Sequence, residues 1–525
     1  MATDNRTTLN DCSATTGWTG DDTVSVDSTT GQSYEGGSSL SWQATNSLRH
    51  MYTTSIGGTR DLSNAQVWML MKDNLIQTQA SNGALLVISD GTNRIGYQVG
   101  GYDVIGLPLP TFFNSHRLDV TNKPAFNTFA GSEASLNEAA ITSAGIGTLH
   151  LAKAVGAIDN TWVDRLSFIV NTGYALTIDT GTSGTPETFA LVVADDLAGG
   201  FGLIANPVGK QYTLFGSTEF GTPSGTANSY FNDSNFQLYL LGYGLGTGNF
   251  LIRTVGNGTG TNSLVLQNGV IVNVDTRAVF NFTDTNFNEL KLTSVTFTDC
   301  GTIDFPVASS GNRFANNCIF NNCDQIDLST MHADGLIFNG TTDANGAILF
   351  DTNGQTTNQT NFSFESDGTG HAIYITQAGT YNLNGWVYSG YGATASTDAV
   401  IHNNSGGAVI INVSGGGDSP TYRNIGGSTT TVNASVTVTL TGLKDDTEVR
   451  VFTTATQTEL AGIENATTGT TDNRSFSFSL GAGTGVDIRI INVAYEYVKL
   501  TNYIIPTTDT SVPVQQRVDR SYVNP

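Results

Sequence analysis

Charge is scarce in this chain: only 13% of its 525 residues are Asp, Glu, Lys or Arg. Basic residues are scarcer still, 22 against 45 acidic ones, for a net charge of −23. A nucleic-acid partner needs a stripe of Lys and Arg facing phosphates, and this balance argues against one. Four cysteines do not make a disulfide scaffold at this length, and no CxxC pair or Cys/His spacing points to zinc. No run of about 18 apolar residues occurs, and Met1-Ala2-Thr3-Asp4-Asn5-Arg6 has no basic segment leading into an apolar one. The expectation is a soluble product of a cytoplasm, without membrane insertion. There is no GxSxG elbow and no HExxH helix, and His50, His116, His150, His332, His371 and His402 are scattered. The strings Gly244/Gly246/Gly248 and Gly256/Gly258/Gly260 lack the nucleotide-binding spacing and read as turns. No cofactor is expected.

What is present is β texture. The apolar fraction of 38% comes in short runs, and the polar positions are filled mainly by neutral side chains, with 60 glycines between them. From Leu290 to Ser414 one pattern recurs five times: a short strand centred on an aromatic, a polar gap, then a second apolar strand. The aromatics Phe297, Phe320, Phe338, Phe364 and Tyr388 stand 23, 18, 26 and 24 residues apart. The second strands begin Ile303-Asp304, Ile326-Asp327, Ile348-Leu349, Ile373-Tyr374 and Val400-Ile401. A near-constant period in the low twenties marks a solenoid, in which stacked copies bury a core that one copy cannot. No window there has the apolar spacing of a helix, so the solenoid is expected to be a β-helix.

Around it, residues 1–175 have the look of a β-sandwich, with candidate strands such as Val67-Trp68-Met69-Leu70-Met71 and Leu85-Leu86-Val87-Ile88 joined by glycine-rich turns. Ala134 to Ala144 and Leu149 to Ala157 are the two helical candidates. Residues 176–417 are assigned to the β-helix, with irregular first turns and a linker at Gly415-Gly416-Gly417. Residues 418–502 alternate with period two, as in Val436-Thr437-Val438-Thr439-Leu440, and predict a small antiparallel β-sandwich that closes the open end of the solenoid. Residues 503–525 form a proline-punctuated arm expected to lie on a partner subunit through Pro506, Pro513, Arg517, Arg520 and Tyr522.

This order of features resembles virion structural proteins of tailed bacteriophages, those of marine phages in particular. The residues that carry the resemblance are Gly17-Trp18-Thr19-Gly20, Tyr34-Glu35-Gly36-Gly37, Gly145-Ile146-Gly147-Thr148, Asn160-Thr161-Trp162-Val163-Asp164 and the ending Val512-Pro513-Val514-Gln515-Gln516 to Asp519-Arg520-Ser521-Tyr522. The resemblance implies an all-β protein: a laminin-G/concanavalin-like, jelly-roll-type sandwich, a right-handed parallel β-helix, and a small C-terminal sandwich with an extended tail. It also implies a homotrimer serving as capsid decoration, head fibre, tail fibre or tailspike, located in the virion. Its partners would be capsid or tail proteins and, for adhesion, host surface glycans. The head is the expected location, and no enzyme activity is expected.

Candidate chemistry is limited to a few positions. Asp304 and Asp327 occupy matching places in successive second strands and should stack about 5 Å apart, the separation a retaining glycosidase needs of its two carboxyl groups. A stacked pair on a solvated face, binding water or a cation, is the alternative. Tyr381 and Tyr391 fall in corners and are the candidates for stacking on sugars, whereas Trp386 and Tyr388 belong to the interior column. Asp351-Thr352-Asn353-Gly354 lacks the spaced acids of a calcium loop and reads as a turn. Cys300 and Cys323 should be neighbours within disulfide range, either as a bond or as two small residues in a stacked column.

Overall fold

The computed structural model describes residues 2–21, 24–28, 38–44, 48–73, 84–100, 114–149, 159–170, 173–179, 181–199, 201–221, 228–241, 250–256, 261–274, 277–306, 312–454, 456–464, 474–481, 484–506 and 509–520. It is all-β, with Phe189–Gly199 as the α-helix among these residues. The chain divides into two units, Met1–Asp327 and Leu328–Pro525.

In the first unit, Ala65–Asp73 and Asp159–Val170 centre one antiparallel six-stranded sheet, and Ala84–Ser89 and Ser143–Leu149 centre another. Period-two alternation sends Val67, Met69 and Met71 from one and Leu86, Ile88, Ile146 and Tyr97 from the other into one shared core. Instead of a helix over Ala134 to Ala144, there are single 3-10 turns at Glu133–Ser135 and Glu138–Ala140, and the strand Ser143–Leu149 begins at its end. The second candidate begins at the end of that strand, and its remainder lies outside the described residues. The helix forms instead at Phe189–Gly199, where the Thr188 hydroxyl accepts the Leu191 N–H at 3.3 Å, as an N-cap does. Phe189, Val192 and Asp196 share its buried side, and the Asp196 carboxylate accepts the N–H groups of Gly202, Leu203 and Ile204.

From Leu176–Ile178 onward the strands of this unit pair mainly in parallel and in register, a β-helix-like arrangement, with antiparallel pairs at Gly181–Thr182/Thr185–Pro186 and Ile204–Val208/Gln211–Leu214. Each turn of the stack in this unit supplies three strands, for example Glu289–Thr293, Thr296–Thr298 and Ile303–Asp304. These pair respectively with Arg313–Asn316, Ile319–Cys323 and Ile326–Asp327. The sequence pattern carries two of the three. Its third strand is hard to see because its inward positions include Arg313, whose buried guanidinium donates to the carbonyls of Thr285 (2.9 Å) and Phe287. Ala2–Asp4 pairs antiparallel with Leu176–Ile178, so the first residues of the chain complete a sheet of this stack. Arg117 ties the sheet of Ala65–Asp73 to it: its guanidinium lies 5.0 Å from the Trp68 ring and 5.1 Å from Phe250, and donates to the Leu241 carbonyl at 2.7 Å.

In Leu328–Pro525 the same three-strand pattern continues, as in Gly379–Asn384, Val387–Ser389 and Ile401–Asn403. One corner recurs throughout. In the ladder that contains Glu289–Thr293 and Arg313–Asn316, the strand is followed by a residue with positive φ: Asn235, Asn268, Ser294 and Asn317 in the first unit, Gly335, Asn361, Gly385 and Gly415 in the second. Only Gly, Asn and a few small polar residues adopt that conformation readily, which makes the corner tight.

Gly415 is thus one more corner and not the start of a linker. Parallel pairing runs on past Gly417, through Tyr422–Asn424 and into Thr429–Leu443. That 15-residue strand then pairs antiparallel with Arg474–Gly481. Glu459–Glu464, Glu448–Thr453, Gly485–Ile491 and Val498–Ile504 make a four-stranded sheet in that order, and Val438, Leu440, Val449, Val451, Ile488 and Ile490 share a core between the two. The boundary expected at 417 therefore lies inside the parallel stack.

Candidate functional site

The parallel ladder that carries the Ile-Asp strands fixes its side chains by alternation. Phe280, Ile303 and Ile326 are in register and buried. Asn281, Asp304 and Asp327 are in register on the opposite face, and the two aspartates are half-buried. Neighbouring parallel strands run about 4.8 Å apart, so the structure does bring Asp304 and Asp327 together. The column continues upward through Arg253, Glu219 and Thr177. Arg253 and Glu219 form an ion pair, Arg253 Nη2 donating to Glu219 Oε2 at 2.7 Å, and Thr177 Oγ1 donates to Glu219 Oε1 at 2.7 Å. Arg253 also lies 4.1 Å from the Tyr174 ring. The neighbour of the acid pair in the column is an amide, Asn281, with no histidine between Thr177 and Asp327.

The aromatic candidates separate. Tyr381 is an interior residue, not a corner one. The strand Gly379–Asn384 alternates so that Tyr381 and Leu383 point inward. Its ring stacks on Phe350 at 4.9 Å, and its hydroxyl donates to the Gln377 carbonyl at 2.6 Å. Burial, with Asp351 adding to it, pushes the phenol up to about 12. Tyr391 is half-buried, and burial together with Asp367 holds its phenol well above the ordinary value. Trp386 is buried and stacks on Phe362 at 4.4 Å, while Tyr388 is in register with Phe364 and half-buried. The stacked pairs Phe297–Phe320 at 5.3 Å and Phe338–Phe364 at 4.7 Å place those four rings in the interior.

The C-terminal arm has a partner within its own chain. Thr510–Pro513 pairs in parallel with Thr429–Leu443, placing Pro513 opposite Thr441. Asp509 accepts the Thr437 N–H at 2.8 Å, Val514 donates to the Thr441 carbonyl at 2.8 Å, and Gln516 accepts the Lys444 N–H at 2.8 Å. Pro506 is half-buried beside the buried Ile505. Arg517 and Arg520 are exposed, and the Arg517 carbonyl accepts the Glu496 N–H at 2.7 Å. Tyr522 lies outside the described residues. The premise that the arm is left without a partner in its own sequence is corrected by this pairing.

Cys300 and Cys323 are not joined by a disulfide, and both side chains are buried. Burial, then the neighbouring Cys323, pushes the Cys300 thiol well up. The Cys300 Sγ packs against the Thr298 carbonyl and the Cys323 Sγ against that of Phe297, each at 3.5 Å.

One cluster was not anticipated. Tyr374, His402 and Arg423 are in register on adjacent strands of Leu328–Pro525. The His402 ring lies 5.0 Å from Tyr374 and 4.8 Å from His371. His371 is fully buried and His402 only 7% exposed. His371 Nδ1 bonds the Ala399 carbonyl at 2.5 Å, while His371 Nε2 and both ring nitrogens of His402 are buried without a hydrogen-bond partner. Burial holds both imidazoles below their ordinary value, with Arg423 acting in the same direction on each. A lone histidine thirty-one positions from another gives no sequence signal of such a contact; only the register of the stack does. Among the described residues no group of three or more His, Cys, Asp or Glu side chains is arranged to hold a metal ion, and no helix among them is long and apolar enough to cross a membrane. No protein-family model matches the chain, and no curated protein matches it in sequence.

Proposed function

We propose that the protein is a structural component of a tailed-phage virion: a trimeric appendage or decoration on the particle surface, associated with the head, with adhesion to host glycans as an additional role. In this reading the parallel sheets are faces of a right-handed β-helix. The two N-terminal antiparallel sheets are a laminin-G/concanavalin-like jelly roll, and the C-terminal pair is a small sandwich. Capsid or tail proteins and further copies of the same chain are its partners. The observation that carries the reading is the use made of the repeat: its aromatic columns, such as Phe338 stacked on Phe364, are spent on interior packing. That is what a stiff spacer requires, and it leaves recognition to the elements at either end. Imaging of particles decorated with labelled antibody against the protein tests the location. Label confined to the tail tip would replace the head assignment with a receptor-binding fibre.

A polysaccharide-cleaving tailspike is the second reading, and the in-register pair Asp304 and Asp327 is what favours it. Incubation with host surface polysaccharide separates the two. Release of reducing ends that disappears in Asp304→Asn would overturn the structural assignment. No release with the unaltered protein supports it.

A further inference from the structure

We propose that His371 and His402 form an acid-sensitive latch: neutral, they close the parallel stack of Leu328–Pro525, and protonated, they force it open. The geometry leaves the pair no way to carry charge in place. The rings lie 4.8 Å apart, and three of their four nitrogens are buried without a partner. The fourth, Nδ1 of His371, is already committed to the Ala399 carbonyl. A proton added to His371 therefore creates a buried cation whose new N–H, at Nε2, has no acceptor, and one added to His402 is met only by the Asn345 backbone, each next to a second imidazole.

The charged groups around the pair do not offset this. Arg423 is the register neighbour of His402 and repels a proton on both rings. Asp343 faces His402 and Asp398 faces His371, each attracting a proton, and a weak hydrogen bond to the Asn345 backbone favours a proton on His402 as well. Both aspartates are half-buried, and Asp343 is already engaged by the Asn345 N–H at 2.6 Å. Tyr374, the remaining ring against His402, has its hydroxyl occupied as acceptor for the Asn404 amide at 3.1 Å. Burial and Arg423 outweigh the carboxylates, and both rings stay neutral below the pH at which a free imidazole charges.

The direction of the pH effect follows. Unfolded, each imidazole takes a proton near pH 6.5; folded, it takes one only at lower pH. Between those values the unfolded chain binds more protons, so stability is intact above about pH 6.5 and falls as the pH drops through it. The unfolding equilibrium constant should rise about tenfold per pH unit for one linked proton and toward a hundredfold for two. A virion component with such a latch would hold its form at neutral pH and loosen in an acidic compartment.

The test uses the full chain. Urea unfolding is followed from pH 8 to pH 5 in the unaltered protein and in the His371→Gln/His402→Gln double variant. The expected result is a midpoint that falls below about pH 6.5 in the former and changes much less in the latter. Equal slopes in both would overturn the proposal. Should the double variant not fold, hydrogen exchange at the imidazole Cε1 position, read by peptide mass spectrometry in the unaltered protein, reports the pKa of each ring separately. Values for both rings below that of the exposed His332 support the latch, and a value at or above it for either ring sinks it.

Discussion

At the scale of single residues, the parallel stack is sensitive where large rings meet and tolerant where polar side chains face water. Phe364 is buried between Phe338 and Tyr388, with centroids 4.7 Å and 5.5 Å away. Phe364→Ala removes the middle ring of that column and opens a cavity that backbone pairing on both sides prevents from collapsing. The expected loss is about 3–5 kcal/mol, read from the urea midpoint of the unit's transition. Tyr381→Phe is a milder change at an equally buried place. It keeps the stack on Phe350 and deletes only the hydroxyl that serves the Gln377 carbonyl. About 1 kcal/mol is expected from the same measurement. A Tyr381 exposed in a corner, as its sequence position suggests, would give no change, so the pair of variants separates interior from surface roles.

At the scale of elements, the arm around Thr510–Pro513 is the piece whose placement matters most. It covers an edge of the long strand Thr429–Leu443, and Val512 and Val514 pack against the core that includes Val438 and Leu440. Ending the chain after Pro506 would expose that edge and those side chains, so a lower melting temperature and a tendency to associate are expected, seen by calorimetry and light scattering. An unchanged melting temperature would mean that the strand's other pairings suffice. The contrast between this arm and the aromatic columns shows what the sequence makes visible. Phe297, Phe320, Ile303 and Ile326 announce their strands because each turn places one large apolar residue at a fixed interval. Strands such as Gln359–Thr360 make no such announcement: Gln359 is buried, and its Nε2 donates to the Ser329 carbonyl at 3.0 Å. The helix at Phe189–Gly199 has a cap in Thr188 and a glycine at its end, yet its apolar run is short enough to pass for a strand. The register of Asp304 with Asp327 is local arithmetic on the repeat. The approach of His371 to His402 depends on the offset between two neighbouring turns at positions outside the repeated strands, and the return of the arm to Thr429–Leu443 on a distant pairing; periodicity alone encodes neither.

At the scale of the whole molecule, the balance is between apolar surface and charge. Ile337, Val387 and Ile410 are exposed on strands of the parallel sheets, and Val493, Tyr497, Ile504 and Val518 are exposed around the C-terminal sheets. Side chains of this kind favour association of identical copies, as the proposed trimer requires. A net charge of −23 per chain works against it, since every added copy brings the same sign. The two effects respond oppositely to salt. The screening length is about 30 Å at 0.01 M and about 3 Å at 1 M, so repulsion between copies is felt in the first condition and nearly abolished in the second. Burial of apolar surface is not weakened by that change. Sedimentation of the 55.4 kDa chain at micromolar concentration should therefore give a mass three times that of one chain, with the trimeric fraction growing as salt is raised. An interface built on ion pairs would show the reverse, with trimer lost at high salt. A single species of monomer mass across the whole range would remove the oligomer from the proposed function and, with it, the role assigned to these exposed side chains.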